Sequence, residues 1–141
     1  MNGKFYKSIS IGEVDGGEKT NPLHRSEIEN DELEQAIKVS LEINNYLSSE
    51  GYPTKYKLDV FLLEVDRPRQ GFTITITTFI RYKLTDTTNN VLLFDTICSA
   101  SDTKTFGDAS IASTRFIIAQ GDSIKKNISQ LLSLLYKMNN N

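Results

Sequence analysis

Catalysis needs nucleophiles, bases or metal ligands that can converge, and this sequence offers few. His24 is the sole histidine and sits between Leu23 and Arg25 in a polar stretch. A catalytic triad would need it oriented by a carboxylate and paired with a nucleophile. The neighbouring sequence carries no such signature, so His24 reads as a surface residue. Cys98 is the sole cysteine, flanked by Ile97 and Ser99 in a strand-like run. A reactive thiol needs a cation or a helix N-terminus to lower its pKa, so Cys98 is expected in the core. A single cysteine leaves no intramolecular disulfide and no cysteine-built zinc site. The carboxylates do not cluster by type. Glu29, Asp31, Glu32 and Glu34 suit the start of a helix, and Asp59, Glu64, Asp66, Asp86 and Asp95 are scattered. Glycoside or cation chemistry would need two or more of them to converge. Gly12, Gly16 and Gly17 match neither the dinucleotide fingerprint nor a phosphate loop and read as a turn. No catalytic residue, no metal ligand and no cofactor is assigned.

The totals bound the class of protein. The chain has 141 residues with 38% apolar and 24% charged, which suits one globular domain rather than a disordered segment. The net charge of −2 gives no basic surplus for nucleic acid. No apolar run approaches the ~20 residues of a membrane span. The first residues, MNGKFYKSIS, lack the apolar centre of an export signal. The chain is therefore expected either in the cytoplasm or downstream of an export segment not included in it.

The elements that would position a site follow from periodicity. Residues 5–14 alternate as a strand, and residues 15–29 form a polar loop. A helix starts at Asn30 or Asp31, carries the stripe Leu33, Ala36, Ile37, Leu41, Asn44 and Leu47, and stops at Gly51 and Pro53. Residues 55–65 are a second strand. The third strand is the clearest: Phe72, Ile74, Ile76, Ile80, Tyr82 and Leu84 share one face, and Thr73, Thr75, Thr77, Arg81 and Lys83 the other. Such alternation marks an antiparallel sheet with one buried and one wet face. Residues 91–101 return as its hairpin partner. A final helix starts near Asp108, with Phe106 as a hydrophobic staple, and Ile117, Gly121, Ile124, Ile128, Leu131, Leu135 and Met138 form its packing face. Asn139, Asn140 and Asn141 are expected to fray.

The fold class is thus α+β, in the order β-α-β-β-β-α, with a mainly antiparallel sheet and both long helices on one face of a single domain. The threonine face is left for water or a partner. Phe79 is the large apolar group on it, so Thr75, Thr77, Phe79 and Arg81 are candidate contacts. Arg67 and Arg69, with Lys55 and Lys57, form a candidate basic edge for an acidic partner. Lys125 and Lys126 read as solvated.

One resemblance rests on ordered features. These are the helix DELEQAIKVSLE, the strand YKLDVFLLEV, a long strand ending RYKLTD, a turn, the return strand VLLFDTICSAS and a long last helix. Tyr82, Leu84 and Asp86 alternate before the turn, and Val91-Leu92 opens the return. From Leu33 to Met138 the pattern resembles small bacterial envelope lipoproteins. It is most similar to the lipopolysaccharide-assembly lipoprotein that plugs an outer-membrane barrel and to auxiliary lipoproteins of envelope transporters. The resemblance implies a non-enzymatic binding or assembly component with a protein partner in the envelope. It also implies the periplasmic face of the outer membrane, reached through a lipid tether upstream, because Cys98 is mid-chain. A cytosolic interaction domain of the same fold is the alternative.

Overall fold

The computed structural model describes residues 3–16, 30–67, 69–70 and 73–140. The elements are β1 (Ile9–Asp15), α1 (Asn30–Ile43), β2 (Tyr56–Asp66), β3 (Arg69–Gln70), β4 (Thr73–Asp86), β5 (Val91–Lys104) and α2 (Ala112–Asn139). The expected order holds, with the two-residue β3 added. β1 runs parallel to β2, β2 pairs antiparallel with β4, and β4 with β5. Both helices cover one face, α1 against β1 and α2 against β4 and β5.

Alternation makes the core. β4 buries Ile76, Thr78, Ile80, Tyr82 and Leu84, β2 buries Tyr56, Leu58, Val60 and Leu62, and β5 buries Cys98 and Ala100. Leu33, Ile37 and Leu41 of α1 and Ile124, Ile128, Leu131 and Leu135 of α2 close over them. Cys98 is a core residue, and burial pushes its thiol pKa up.

Several boundaries differ from expectation for local reasons. β1 begins at Ile9 because residues 4–7 form a turn, with Lys7 in the left-handed region at φ 46°. Phe5 is buried edge-on to Tyr46 and Tyr56, and its N–H donates to Asn139 Oδ1 at 2.8 Å. Asn139 is therefore tied down rather than frayed. α1 stops at Ile43, well before Gly51. Asn45 takes the left-handed conformation at φ 60°, its N–H donates to Glu42 O at 3.0 Å, and the Tyr46 N–H donates to Leu41 O at 2.8 Å. This pair of bonds is a Schellman cap, with asparagine where glycine is usual.

α2 departs most. It starts at Ala112, and Ile111 at its cap makes no side-chain capping bond. Asp108 instead closes a turn, accepting from the N–H and hydroxyl of Thr105. Phe106 is exposed and lies 5.9 Å from the Arg115 guanidinium, so it is no staple. Ile117, at the start of the expected packing face, is 69% exposed, and Gly121 is exposed too. From its start to its middle the helix buries Arg115, Ala119, Ser123 and Asn127, spaced by four, with Ile124 beside them. Arg115 Nη1 donates to Ala109 O and Ser110 O, which pins the connection from β5.

The small polar residues of α2 meet polar groups on the sheet. Tyr82 Oη donates to Asn127 Oδ1 at 2.9 Å, and Asn127 Nδ2 donates to Thr78 O and Cys98 O at 3.1 and 2.8 Å. Ser123 Oγ donates to Ala100 O and lies 2.9 Å from Thr78 Oγ1. Nearby, Lys126 and Lys104 converge on Asp102 at 2.7 and 3.1 Å. Burial raises the Asp102 pKa, but the two lysine hydrogen bonds outweigh it and hold the carboxyl below its ordinary range.

Three outcomes follow for stability. Ile76→Ala should cost ~2–5 kcal/mol in urea unfolding, and Thr75→Ala well under half of that. Asn127→Ala should cost about 2–4 kcal/mol, because it strips partners from several buried groups at once; a loss below half a kcal/mol would show the network to be idle. The Asp102 clamp has a lowered folded pKa. Its contribution should be complete above the unfolded value of about 4 and fade as pH falls through the lowered one. Asp102→Asn should flatten the acid limb of a stability-versus-pH curve, and an unchanged limb would refute the assignment.

Candidate binding face

The face opposite the helices carries the odd-numbered side chains of β4. Thr75, Thr77, Phe79, Arg81 and Lys83 are all half-buried rather than fully exposed, because neighbours on both sides lean over them. On the β5 side, Thr75 Oγ1 lies 2.9 Å from Thr103 Oγ1, and Thr77 Oγ1 lies 2.6 Å from Ser101 Oγ. These pairs form a hydroxyl ladder in which each bond uses one donor within the face itself. Phe79 sits opposite Ser99 and Glu64, and Phe61 opposite Arg81. Ile97, 57% exposed, lies opposite Arg81 from the other side, so Arg81 stands between Phe61 and Ile97, with Phe79 two residues away along β4.

Arg81 does not present a free cation. Its Nε donates to Asp95 Oδ1 at 2.7 Å, and Nη2 donates to the other oxygen. That fork holds the Asp95 carboxyl below its ordinary range, chiefly by the direct hydrogen bonds, and raises the Arg81 pKa in turn. The pair is locally neutral, and Arg81 lies between Phe61 and Ile97.

The expected basic edge does not assemble. Lys55 and Lys57 lie at the start of β2 and Arg67 just beyond its far end, so nearly the whole eleven-residue strand separates them. Arg67 stacks 5.0 Å from the Phe116 ring, on the side of α2, and Lys57 faces Asp59 at 3.9 Å. Arg69 lies in β3, opposite Ile74. Lys126 is not merely solvated, since it bonds Asp102 and Ser101 O. His24 falls outside the described residues.

Gly12 has a packing reason. A Cβ there would strike Asp59 and Lys57, where β1 shifts register over β2 and the Glu13 N–H donates to Asp59 Oδ1 at 2.8 Å. No phosphate-binding role is needed to explain it.

Hydropathy spacing gave no sign of a second concavity. An open groove of about 740 Å³ runs between the helices, floored by Ala36, Val39, Ile128 and Leu132, with Asp31 and Lys125 on its rims. Only the approach of α1 to α2 creates it. Its floor brings no acid–base pair or nucleophile together. Among the described residues no three His, Cys, Asp or Glu side chains gather as a metal site, and no helix is long and apolar enough to cross a membrane.

No protein-family model matches the chain, and no curated protein matches it in sequence. Solved structures match it in fold. A Xanthomonas campestris protein superposes with a TM-score of 0.62 at 10% identity, over 95% of this chain and 88% of that one. A hypothetical protein from Chlamydia trachomatis gives 0.59 at 13% identity, over 89% and 95% of the two chains. A minor lipoprotein from Acinetobacter baumannii gives 0.56 at 20% identity, over 89% and 87%. At such identities the likeness is one of architecture: the chain has a small bacterial lipoprotein-like fold.

Proposed function

We propose that this chain is a non-enzymatic binding or assembly component of the bacterial cell envelope, presenting the uncovered face of its sheet to a protein partner. The observation that carries the reading is the placing of Phe61, Phe79 and Ile97 around a neutral Arg81–Asp95 pair, next to a hydroxyl ladder. Docking on such a face removes apolar surface from water. It strips little hydration from the polar groups, because Thr75, Thr77 and Arg81 are already bonded within the face. The architecture shared with a lipoprotein supports the envelope setting. A role like that of the lipopolysaccharide-assembly or transporter-auxiliary lipoproteins would put the domain at the periplasmic face of the outer membrane, held by a lipid upstream of this sequence. A reading frame whose upstream part lacks an export signal ending in cysteine would instead favour a cytosolic interaction domain.

The face is tested by photo-crosslinking side chains placed at Thr77 on the sheet and at Val39 in the interhelical groove, in bacterial envelope fractions. A discrete adduct is expected from Thr77 and not from Val39, and Phe79→Ser should abolish it while the melting temperature falls only modestly. An adduct from Val39 alone would move the site to the groove. Unchanged crosslinking with a large loss of stability would make Phe79 a core residue.

A further inference from the structure

We propose that the free edge of the sheet, residues 91–97 of β5, pairs with the same strand of a second copy of the chain and joins two sheets into one. The direction of the β5 backbone follows from Asn127. Its Nδ2 donates to both Thr78 O and Cys98 O, so those carbonyls point into the seam between β4 and β5. The antiparallel register is regular from Phe94 to Lys104. Backbone groups alternate in direction along a strand, so those of Asp95, Ile97, Ser99 and Ser101 point outward, away from the sheet.

The two halves of this edge are treated differently. Ser99 O accepts from Gln130 Nε2 at 2.6 Å and Ser101 O from Lys126 Nζ at 3.1 Å, so α2 covers that half. At Asp95 and Ile97 no described residue bonds the outward N–H and C=O. The same half exposes Val91, Leu92 and Ile97 at 47%, 50% and 57%. Edges are normally protected by charge, by proline, by a β-bulge or by a covering segment; the one bulge here is at Leu93, and the stretch from Phe94 to Ile97 lies beyond it in regular register. Here the single charge is Asp95, and Arg81 neutralises it. The opposite edge of the sheet is closed at its start, where the Ile9 N–H donates to Tyr46 O and Ile9 O accepts from the Ser48 N–H.

Unpaired backbone groups select an extended backbone as the occupant. A second copy supplies one with the same missing donors and acceptors and the same exposed apolar side chains. The neutral Arg81–Asp95 pair removes the like-charge repulsion that would otherwise oppose two identical strands. The regular part of that edge, Phe94 to Ile97, spans about 13 Å. The two open faces would then continue side by side, doubling the surface around Phe79 without changing it.

Sedimentation velocity over a concentration series tests this, together with hydrogen exchange at its two ends. The expected result is a species of twice the 15.9 kDa chain mass at high concentration, with the Asp95 and Ile97 amides protected only there. Ile97→Pro removes an outward N–H and leaves the bonds to β4 in place, so it should weaken the dimer at least ~tenfold with an unchanged circular dichroism spectrum. If that variant fails to fold, Ile97→Lys should weaken the dimer in the same way, by placing two like charges at the joint. Phe79→Ser should leave the dimer intact, which separates this edge from the partner face. A mass fixed at that of one chain up to ~1 mM would overturn the proposal. So would a dimer that persists in the lysine variant, or protection that appears elsewhere than at residues 91–97.

Discussion

A single amide side chain holds the architecture in register. Asn127 accepts from the Tyr82 hydroxyl and donates to a carbonyl on each of β4 and β5, so it sits over the seam between two strands and bonds both. The site is dry, and burial pushes the Tyr82 pKa far up. In such surroundings a misplaced partner costs far more than a well-placed one contributes. The helix is thereby keyed to one azimuth and one height on the sheet. With α2 fixed there, Lys126 and Gln130 necessarily reach the outside of β5, and Ile117 necessarily points away from the sheet. The face that receives no helix and the part of the edge that receives no side chain are both consequences of where Asn127 sits.

This also explains what could be read from the residues alone and what could not. The alternation through β4 fixed its two faces because hydropathy and side-chain direction share one period there. Nothing in the strand pattern marks Thr78 as a core residue, because a polar residue is at home inside only when its partner, Ser123, arrives from another element. The packing face of α2 holds from Ile124 to Leu135, but its start at Ile117 and Gly121 is exposed, because there the helix turns Arg115, Ala119 and Ser123 inward, which hydropathy spacing does not mark. Gly51 and Pro53 are the obvious stop signals for α1, but Asn45 takes a left-handed conformation and stops the helix earlier. The basic edge failed for a geometric reason. Residues close in sequence along an extended strand are far apart in space, and ten steps of about 3.3 Å separate Lys57 from Arg67.

The uncovered face differs from an ordinary wet sheet surface. A threonine ladder is usually read as a hydrated coat, yet Thr75 and Thr77 spend part of their bonding capacity on Thr103 and Ser101, and Arg81 spends its fork on Asp95. The surface is polar by composition and only weakly committed to water. That combination keeps a domain dispersed on its own while lowering the cost of covering it. Chemistry, by contrast, would need groups left unsatisfied and aimed at a common point, and the polar groups on this face mostly find one another.

The bond between the Phe5 amide and the Asn139 side chain has a mechanical side. It clamps the entering chain against the last turn of the longest helix, so the two ends of the domain leave from one spot. A leash attached ahead of residue 3 would pull on the Phe5 plug and the end of α2 together, loading them in shear rather than peeling β1 from the sheet one rung at a time. β1 would be shielded until that clamp gave way. Under such a pull the clamped ends would move together, with Phe79 and the free edge of β5 keeping their shape whichever way the domain turned.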